Sequence, residues 1–439
     1  MSKFKFRTAT AVVIANMIGT GVFTSLGYQL EVIRSPFVLL SLWVIGGIVA
    51  LCGAMSYAEL GSSMPRSGGE YNFLTRIYHP AMGFVSGWVS ALIGFAAPIA
   101  LVAILFGTYL VSAIPGVEPG GVEVKILAAG LVLAMTLIHA TNHRNSGGTQ
   151  LVFTVLKIAF IVLFCVGGLL LVPEPQAIGL LPAKGDGALM LGSAYAISLI
   201  YVSYAYTGWN AVTYMSGEVE NPTVNIPKIL FIATFTVMLS YIALNYMFLK
   251  TAPMEAMSGK LEIGFIAAEH AFGSLGAKFI GFVLALLLIS TVSAMVIAGP
   301  RVLQVLGEDF SLFKGFAKTN ADGIPNRAVW FQTVLTLVFI VTSSFEQILV
   351  FSAALLALNS FFAVMGLFVL RWRQPDLERP YRVWAYPITP LVYLALTGFT
   401  LVFVALSRPV EAIGALVIIS SGLVFYFIAQ AFERRKQNS

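Results

Sequence analysis

The chain has 439 residues, of which 58% are hydrophobic and only 10% charged, with a mean hydropathy of +0.88. Soluble chains carry roughly 25% charged residues, so this composition excludes a soluble globular protein and specifies a membrane protein with many spans. The net charge of +6 does not mark a nucleic-acid binder, because the basic residues collect in short loops between apolar runs.

At the N-terminus Lys3, Lys5 and Arg7 precede an apolar run, as in a signal peptide. No small-residue cleavage site follows, and the run is read as a retained first span. Segments of the roughly 20 residues needed to cross a bilayer are predicted at 8–31, 36–62, 82–113, 122–140, 149–172, 189–215, 228–249, 276–306, 326–344, 347–371, 386–407 and 410–432. Twelve spans place both termini on one side. The N-terminus, the even-numbered loops and the C-terminal Arg434, Arg435 and Lys436 hold 18 Lys and Arg, against seven in the odd-numbered loops, among them Arg34, Lys125, Lys184 and Arg408. Both termini are therefore expected in the cytoplasm of a multi-pass protein of the plasma membrane, a bacterial inner membrane. No loop is long enough for a soluble domain, so residues 1–439 form a single transmembrane domain. Cys52 and Cys165 both lie in apolar runs, which argues against a structural disulfide.

The first span is interrupted at Ile18-Gly19-Thr20-Gly21-Val22-Phe23. Two glycines one residue apart, beside β-branched neighbours, make a poor helix interior. Irregular backbone at membrane depth is tolerated where it lines a cavity or meets a ligand. A kink or a small-residue packing face explains this stretch equally well. Span 2 carries Glu59, expected to reach the cytoplasmic interface. Span 5 carries Lys157, the one Lys or Arg left inside a span, about two turns from its start. Such a residue is a functional candidate by default, either an ion substitute or proton carrier, or a tie between two helices.

Span 6 holds Tyr204-Ala205-Tyr206-Thr207-Gly208-Trp209-Asn210, where hydroxyls, a glycine and an amide interrupt the apolar character, and it stops at Asn221-Pro222. Alone, this is an aromatic packing stripe. Paired with span 1 it means more. Spans 1 and 6 are five apart, and an odd number inserts a second set of five in the opposite orientation. Two interrupted helices at matching positions of an inverted repeat point to the central site of a transporter. The repeats are expected at 8–172 and 189–371, with a further pair of helices at 386–432.

Here the chain resembles the amino acid permeases of the amino acid–polyamine–organocation superfamily, nearest their L-type branch. Ile18 to Phe23 is similar to the Gly-Ser/Thr-Gly-Ile-Phe signature of helix 1, and Tyr204 to Asn210 to the Phe-Ala-Tyr-Gly-Gly-Trp-Asn pattern of helix 6. Glu218 to Pro227, Pro65 to Tyr71, Lys157 and Arg379-Pro380-Tyr381 extend the resemblance over nearly the whole chain in the family's order. Thr207 stands where the pattern has glycine, and Tyr204 where it has phenylalanine, which makes the pocket more polar. Helix 8 ends Ala298-Gly299-Pro300-Arg301 where the family has serine before the arginine, and Pro300 is expected to bend that end. The segment from Ala113 to Glu123 lacks the cysteine with which eukaryotic L-type members bond a partner glycoprotein, so no disulfide-linked ancillary subunit is expected.

The resemblance implies an all-α integral membrane protein with twelve transmembrane helices in the leucine-transporter-type fold, a 5+5 inverted repeat with helices 1 and 6 discontinuous and helices 11 and 12 peripheral. It implies a secondary transporter of neutral L-amino acids working by alternating access, as exchanger or proton-coupled symporter. A substrate carboxylate would sit on free N–H groups at the half-helix beginning near Gly21, approached past Gly19, Thr20 and Gly21. Carbonyls around Ile18, Tyr204, Ala205, Thr207 and Gly208 would receive its ammonium, with Tyr204 as gate. Lys157 would stand where sodium-coupled relatives hold sodium, touching a carbonyl near Ile14 to Met17 and a hydroxyl of Ser290, Thr291 or Ser293. Substrate, bilayer and protons are the expected partners, with no cofactor and no metal. A channel is the rival class, but no charge ring or filter motif is present. An enzyme is disfavoured, since the four histidines, His79, His139, His143 and His270, make no ligand or nucleophile–base set. A non-transporting sensor would use the same site.

Overall fold

The computed structural model describes residues 3–114, 121–141, 146–321 and 323–437. Residues 115–120 and His143, placed in loops by the sequence reading, lie outside the described residues. The described chain is helical, with no strand beyond a single parallel bridge between Phe4 and Val219. Ten helical stretches are long and apolar enough to cross a membrane, and Ser193–Ala205 and Asn326–Thr342 are shorter apolar helices.

The first stretch is two helices, α1 (Phe6–Met17) and α2 (Gly21–Val32), separated by residues 18–20. The apolar window of this stretch is wholly buried, against 22% for the last helix, so α1 and α2 lie in the interior and the last helix at the periphery. Next, α3 (Pro36–Ser63) starts where the Ser35 hydroxyl accepts from Val38 N and Pro36 takes a first-turn position that needs no N–H donor. The short α4 (Glu70–Ile77) follows a turn in which Gly68 and Gly69 both have positive φ.

The third span is not one regular helix. It runs as α5 (Pro80–Val89), a π-turn at Ser90–Gly94, and α6 (Ala96–Ser112). Such a bulge turns side chains away from the helical repeat, and Gly94, Phe95 and Pro98 face an internal cavity. Then come α7 (Val122–Thr141), α8 (Ser146–Leu171), a single turn α9 (Asp186–Met190), α10 (Ser193–Ala205) and the one-turn α11 (Ala211–Tyr214). Residues 206–210 separate α10 from α11, and Gly208 there has φ +101°.

Asn221 takes a left-handed conformation and Pro222 opens α12 (Pro222–Thr251). A turn, α13 (Met254–Met257), leads to α14 (Ile263–Ala298), kinked at Gly273, and directly on to α15 (Pro300–Asp309). Gly273 divides this stretch into two helices, and the segment predicted as the eighth span, 276–306, falls in the second of them and runs on into α15. A helical turn α16 (Lys314–Ala317) precedes α17 (Asn326–Thr342), α18 (Phe345–Arg373), α19 (Ile388–Ser407) and α20 (Pro409–Gln437). Ser344 and Gln347 close a capping box on α18.

Glu59 corrects the sequence reading. Instead of reaching an interface it is fully buried. Arg371 donates to both its oxygens (2.8 and 2.6 Å), Arg379 lies at 3.4 Å, and Val383 N donates at 2.7 Å. Arg379 also donates to the carbonyls of Gln374 and Leu377 at the end of α18 (2.7 and 2.8 Å). A buried carboxylate is tolerated when it is paired and hydrogen-bonded. Here it clips the linker between α18 and α19 onto α3, which gives the Arg379-Pro380-Tyr381 motif a structural role.

Candidate functional site

The two gaps face each other across the centre of the molecule. A Cβ at Gly21 would lie 2.3 Å from the Ala205 Cα, and one at Gly208 would lie 2.9 Å from the Asn16 carbonyl oxygen. Both distances are impossible for real Cβ atoms, so glycine is obligatory where α2 meets α10 and where the second gap meets the end of α1. Gly208 needs it twice over, because its φ is positive. At Gly19 a Cβ would meet only Thr291 and Val102 methyls at 3.4 and 3.5 Å, ordinary contacts. A methyl would just fit at Gly19, so packing does not demand glycine there as it does at Gly21 and Gly208.

A cavity of about 100 Å³ occupies the space between the gaps. Gly19, Thr20 and Gly21 line it from one side, and Tyr204, Ala205, Thr207 and Gly208 from the other. Gly46 and Ala50 of α3, Phe95, Met295, Ala353 and Ser360 add to the wall, with Tyr393 and Thr397 of α19. The helix expected to be peripheral thus reaches the centre. The Tyr204 phenol lies beside the Thr20 side chain, so the proposed gate residue stands between the two gaps.

Backbone groups at a helix break need partners. The Ile18 carbonyl accepts from Lys157 Nζ (3.1 Å) and Thr291 Oγ1 (2.9 Å), and the lysine also donates to Thr291 Oγ1 (2.7 Å). Lys157 is 2% exposed, so these contacts replace its water. The carbonyl is one residue beyond the expected Ile14–Met17 segment. Of the three expected hydroxyls, Thr291 meets the lysine. Ser290 Oγ donates to Leu287 O (2.8 Å), and Ser293 pairs with His139 (2.8 Å).

Sequence reasoning missed Tyr241 of α12. Its phenol reaches both the Met17 carbonyl (2.6 Å) and the Ala205 carbonyl (3.0 Å), one from each interrupted helix. A tyrosine inside an apolar span gives no sign of such a role. The Tyr204 carbonyl accepts from Thr207 N (2.9 Å) and Thr207 Oγ1 (2.6 Å), which uses both its lone pairs. Of the carbonyls expected to take an ammonium, that of Ala205 has capacity left beside Tyr241 and that of Gly208 beside Ala211 N, while no donor among the described residues reaches that of Thr207. At the far side of the second gap, Asn210 Nδ2 donates to the buried Glu70 carboxylate (2.6 Å), which also accepts from Tyr57 (2.8 Å).

The model of the family described as amino acid permease matches residues 4–429. The chain belongs to that family. The permease is 26% identical over 439 residues to the human (Homo sapiens) large neutral amino acids transporter small subunit 2, covering 98% of this chain and 80% of the relative. It is 26% identical over 427 residues to the Mus musculus b(0,+)-type amino acid transporter 1, covering 95% and 85%. With the Mus musculus Asc-type amino acid transporter 1 it shares 26% over 429 residues, covering 96% and 80%. The permease is thus a multi-pass membrane transporter of amino acids and not an enzyme. Among its described residues, no three His, Cys, Asp or Glu side chains form a metal cluster.

Proposed function

We propose that the permease moves neutral L-amino acids across the plasma membrane by alternating access, recognising the α-amino acid group with the backbone of its two interrupted helices. The observation that carries this is the cavity held open between the gaps, with Gly19, Thr20 and Gly21 on one side and Tyr204, Ala205, Thr207 and Gly208 on the other. A carboxylate meets the first amides of α2, where the helix terminus offers unpaired N–H groups and partial positive charge. The ammonium meets carbonyls of the opposite gap, Ala205 first. Side-chain selection falls to the wall, where Thr207, Ser360, Tyr393 and Thr397 favour small or hydroxylated side chains over large apolar ones.

The architecture that serves this function has twelve spans, with Ser193–Ala205 and its continuation through α11 as the sixth and Asn326–Thr342 as the ninth. Residues 8–172 and 189–371 are the inverted repeats, and both termini are cytoplasmic. Lys157 holds the first gap in its broken form as a sodium ion would, by binding the Ile18 carbonyl. Exchange or proton symport then replaces sodium coupling. The relative named a small subunit has a partner by that name. In this chain both cysteines are buried, so an ancillary subunit would have to bind without a disulfide.

Purified protein in liposomes, offered a panel of radiolabelled amino acids with and without internal substrate, tests the proposal. Saturable uptake of neutral amino acids, accelerated by internal substrate, is expected for an exchanger. Absence of uptake for every amino acid would overturn it. Non-saturating flux would favour a channel.

A further inference from the structure

The Glu70 carboxyl is 1% exposed and stands just behind the cavity wall. Its Oε1 accepts from Asn210 Nδ2 (2.6 Å) and Tyr57 Oη (2.8 Å), while its Oε2 is buried and accepts no hydrogen bond of ordinary geometry. The Tyr214 phenol lies beside the same carboxyl and is hydrogen-bonded to Ser90 (3.0 Å), which Asn359 holds in turn (3.3 Å). Asn210 and Tyr214 both line the cavity.

No Lys or Arg pairs with this carboxyl among the described residues. The titratable groups facing it are the phenols of Tyr57 on α3, Tyr214 on α11 and Tyr393 on α19. α5 carries no ionisable side chain. On α18, Arg371 is engaged by Glu59, Arg373 by the Ile77 carbonyl, and Glu346 by Arg408. Arg66, near the start of α4, is held by Asp309. An ionised carboxylate buried without a cation is costly, and two donors on one oxygen leave the other unmet. A proton on Oε2 removes the charge and converts the unmet acceptor into a donor for the phenol oxygen beside it.

We propose that Glu70 is a proton-binding site of the transport cycle, read by the second gap through Asn210 and distinct from Lys157. This rests on the transporter reading above. The proton is taken from water on one side and released to water on the other, with the bonds to Asn210 and Tyr214 remade at each exchange. No other bond changes.

The test is uptake of the best substrate into proteoliposomes with the membrane potential clamped, external pH one unit below internal, and a pH dye inside. One proton per substrate allows accumulation up to about tenfold for one pH unit. Wild type should accumulate substrate and acidify the lumen. Glu70→Gln, which mimics the protonated carboxyl, should take up substrate at symmetrical pH but accumulate none under the gradient. Full gradient-driven accumulation in Glu70→Gln would overturn the assignment, as would wild-type uptake with no proton entry. If Glu70→Gln does not fold, Glu70→Asp keeps a titratable group and should shift the pH dependence of wild-type-like uptake, and an unshifted profile would overturn the assignment. Failure of wild type to transport any amino acid would instead refute the transporter reading itself.

Discussion

Tyr241→Phe removes one oxygen atom and tests whether the two gaps act as one site. The phenol proton is shared between the Met17 carbonyl at 2.6 Å and the Ala205 carbonyl at 3.0 Å, and the side chain is fully buried. Met17 O keeps a second donor, Gly19 N at 2.9 Å. Losing the hydroxyl therefore strips mainly the Ala205 side, leaving a buried carbonyl short of a partner at about 1–3 kcal/mol. If substrate binding requires the gaps in their present apposition, part or all of that cost appears in binding, up to about 5- to 150-fold in affinity. Uptake KM, and the rise in Tm on adding substrate to detergent-purified protein, read it directly. Tyr109→Phe is the control. Its hydroxyl accepts from Gly264 N at 3.2 Å, away from the cavity, so it should lower Tm without weakening substrate binding. Equal KM and equal substrate-induced stabilisation in wild type and Tyr241→Phe would refute the coupling of the gaps through this phenol.

Gly19→Ala should leave folding intact, since its Cβ meets only methyls at 3.4 and 3.5 Å, yet weaken transport by narrowing the carboxylate approach; unchanged uptake would remove Gly19 from the site. Gly208→Ala should instead fail as a fold, because it combines positive φ with a 2.9 Å contact to the Asn16 carbonyl, and a monodisperse, active variant would contradict the packing. Lys157→Ala removes the amine donor on the Ile18 carbonyl and should abolish most transport while the protein still purifies, with uptake at wild-type rate as the refuting result. Glu59→Gln breaks a buried ion pair, which costs about 3–5 kcal/mol. A marked fall in Tm is expected, and substrate affinity in the surviving folded fraction should not change.

Composition alone determined that this chain lives in a membrane, because a core of hydrocarbon demands long apolar helices and the chain has little else. Loop charges carried an expected orientation, and the two interruptions were legible because a glycine pair in span 1, and hydroxyls, a glycine and an amide in span 6, break the apolar helical pattern wherever they occur. Those are local properties, readable one segment at a time. What the tertiary structure decided is which groups satisfy the broken backbone. Tyr241 is an unremarked tyrosine in α12 until folding sets its phenol between Met17 and Ala205. Gly21 reads as room for a ligand, but the space a side chain would take there is filled by Ala205, whereas Gly19 could carry a methyl. Lys157 was visible as a buried charge, though its carbonyl proved to be that of Ile18, since a register of one residue depends on how α8 packs against α1. Glu59 and Glu70 look alike as acids near span ends. Only the fold gives the first two arginines and the second none among the described residues, because ion pairing depends on partners hundreds of residues away in sequence.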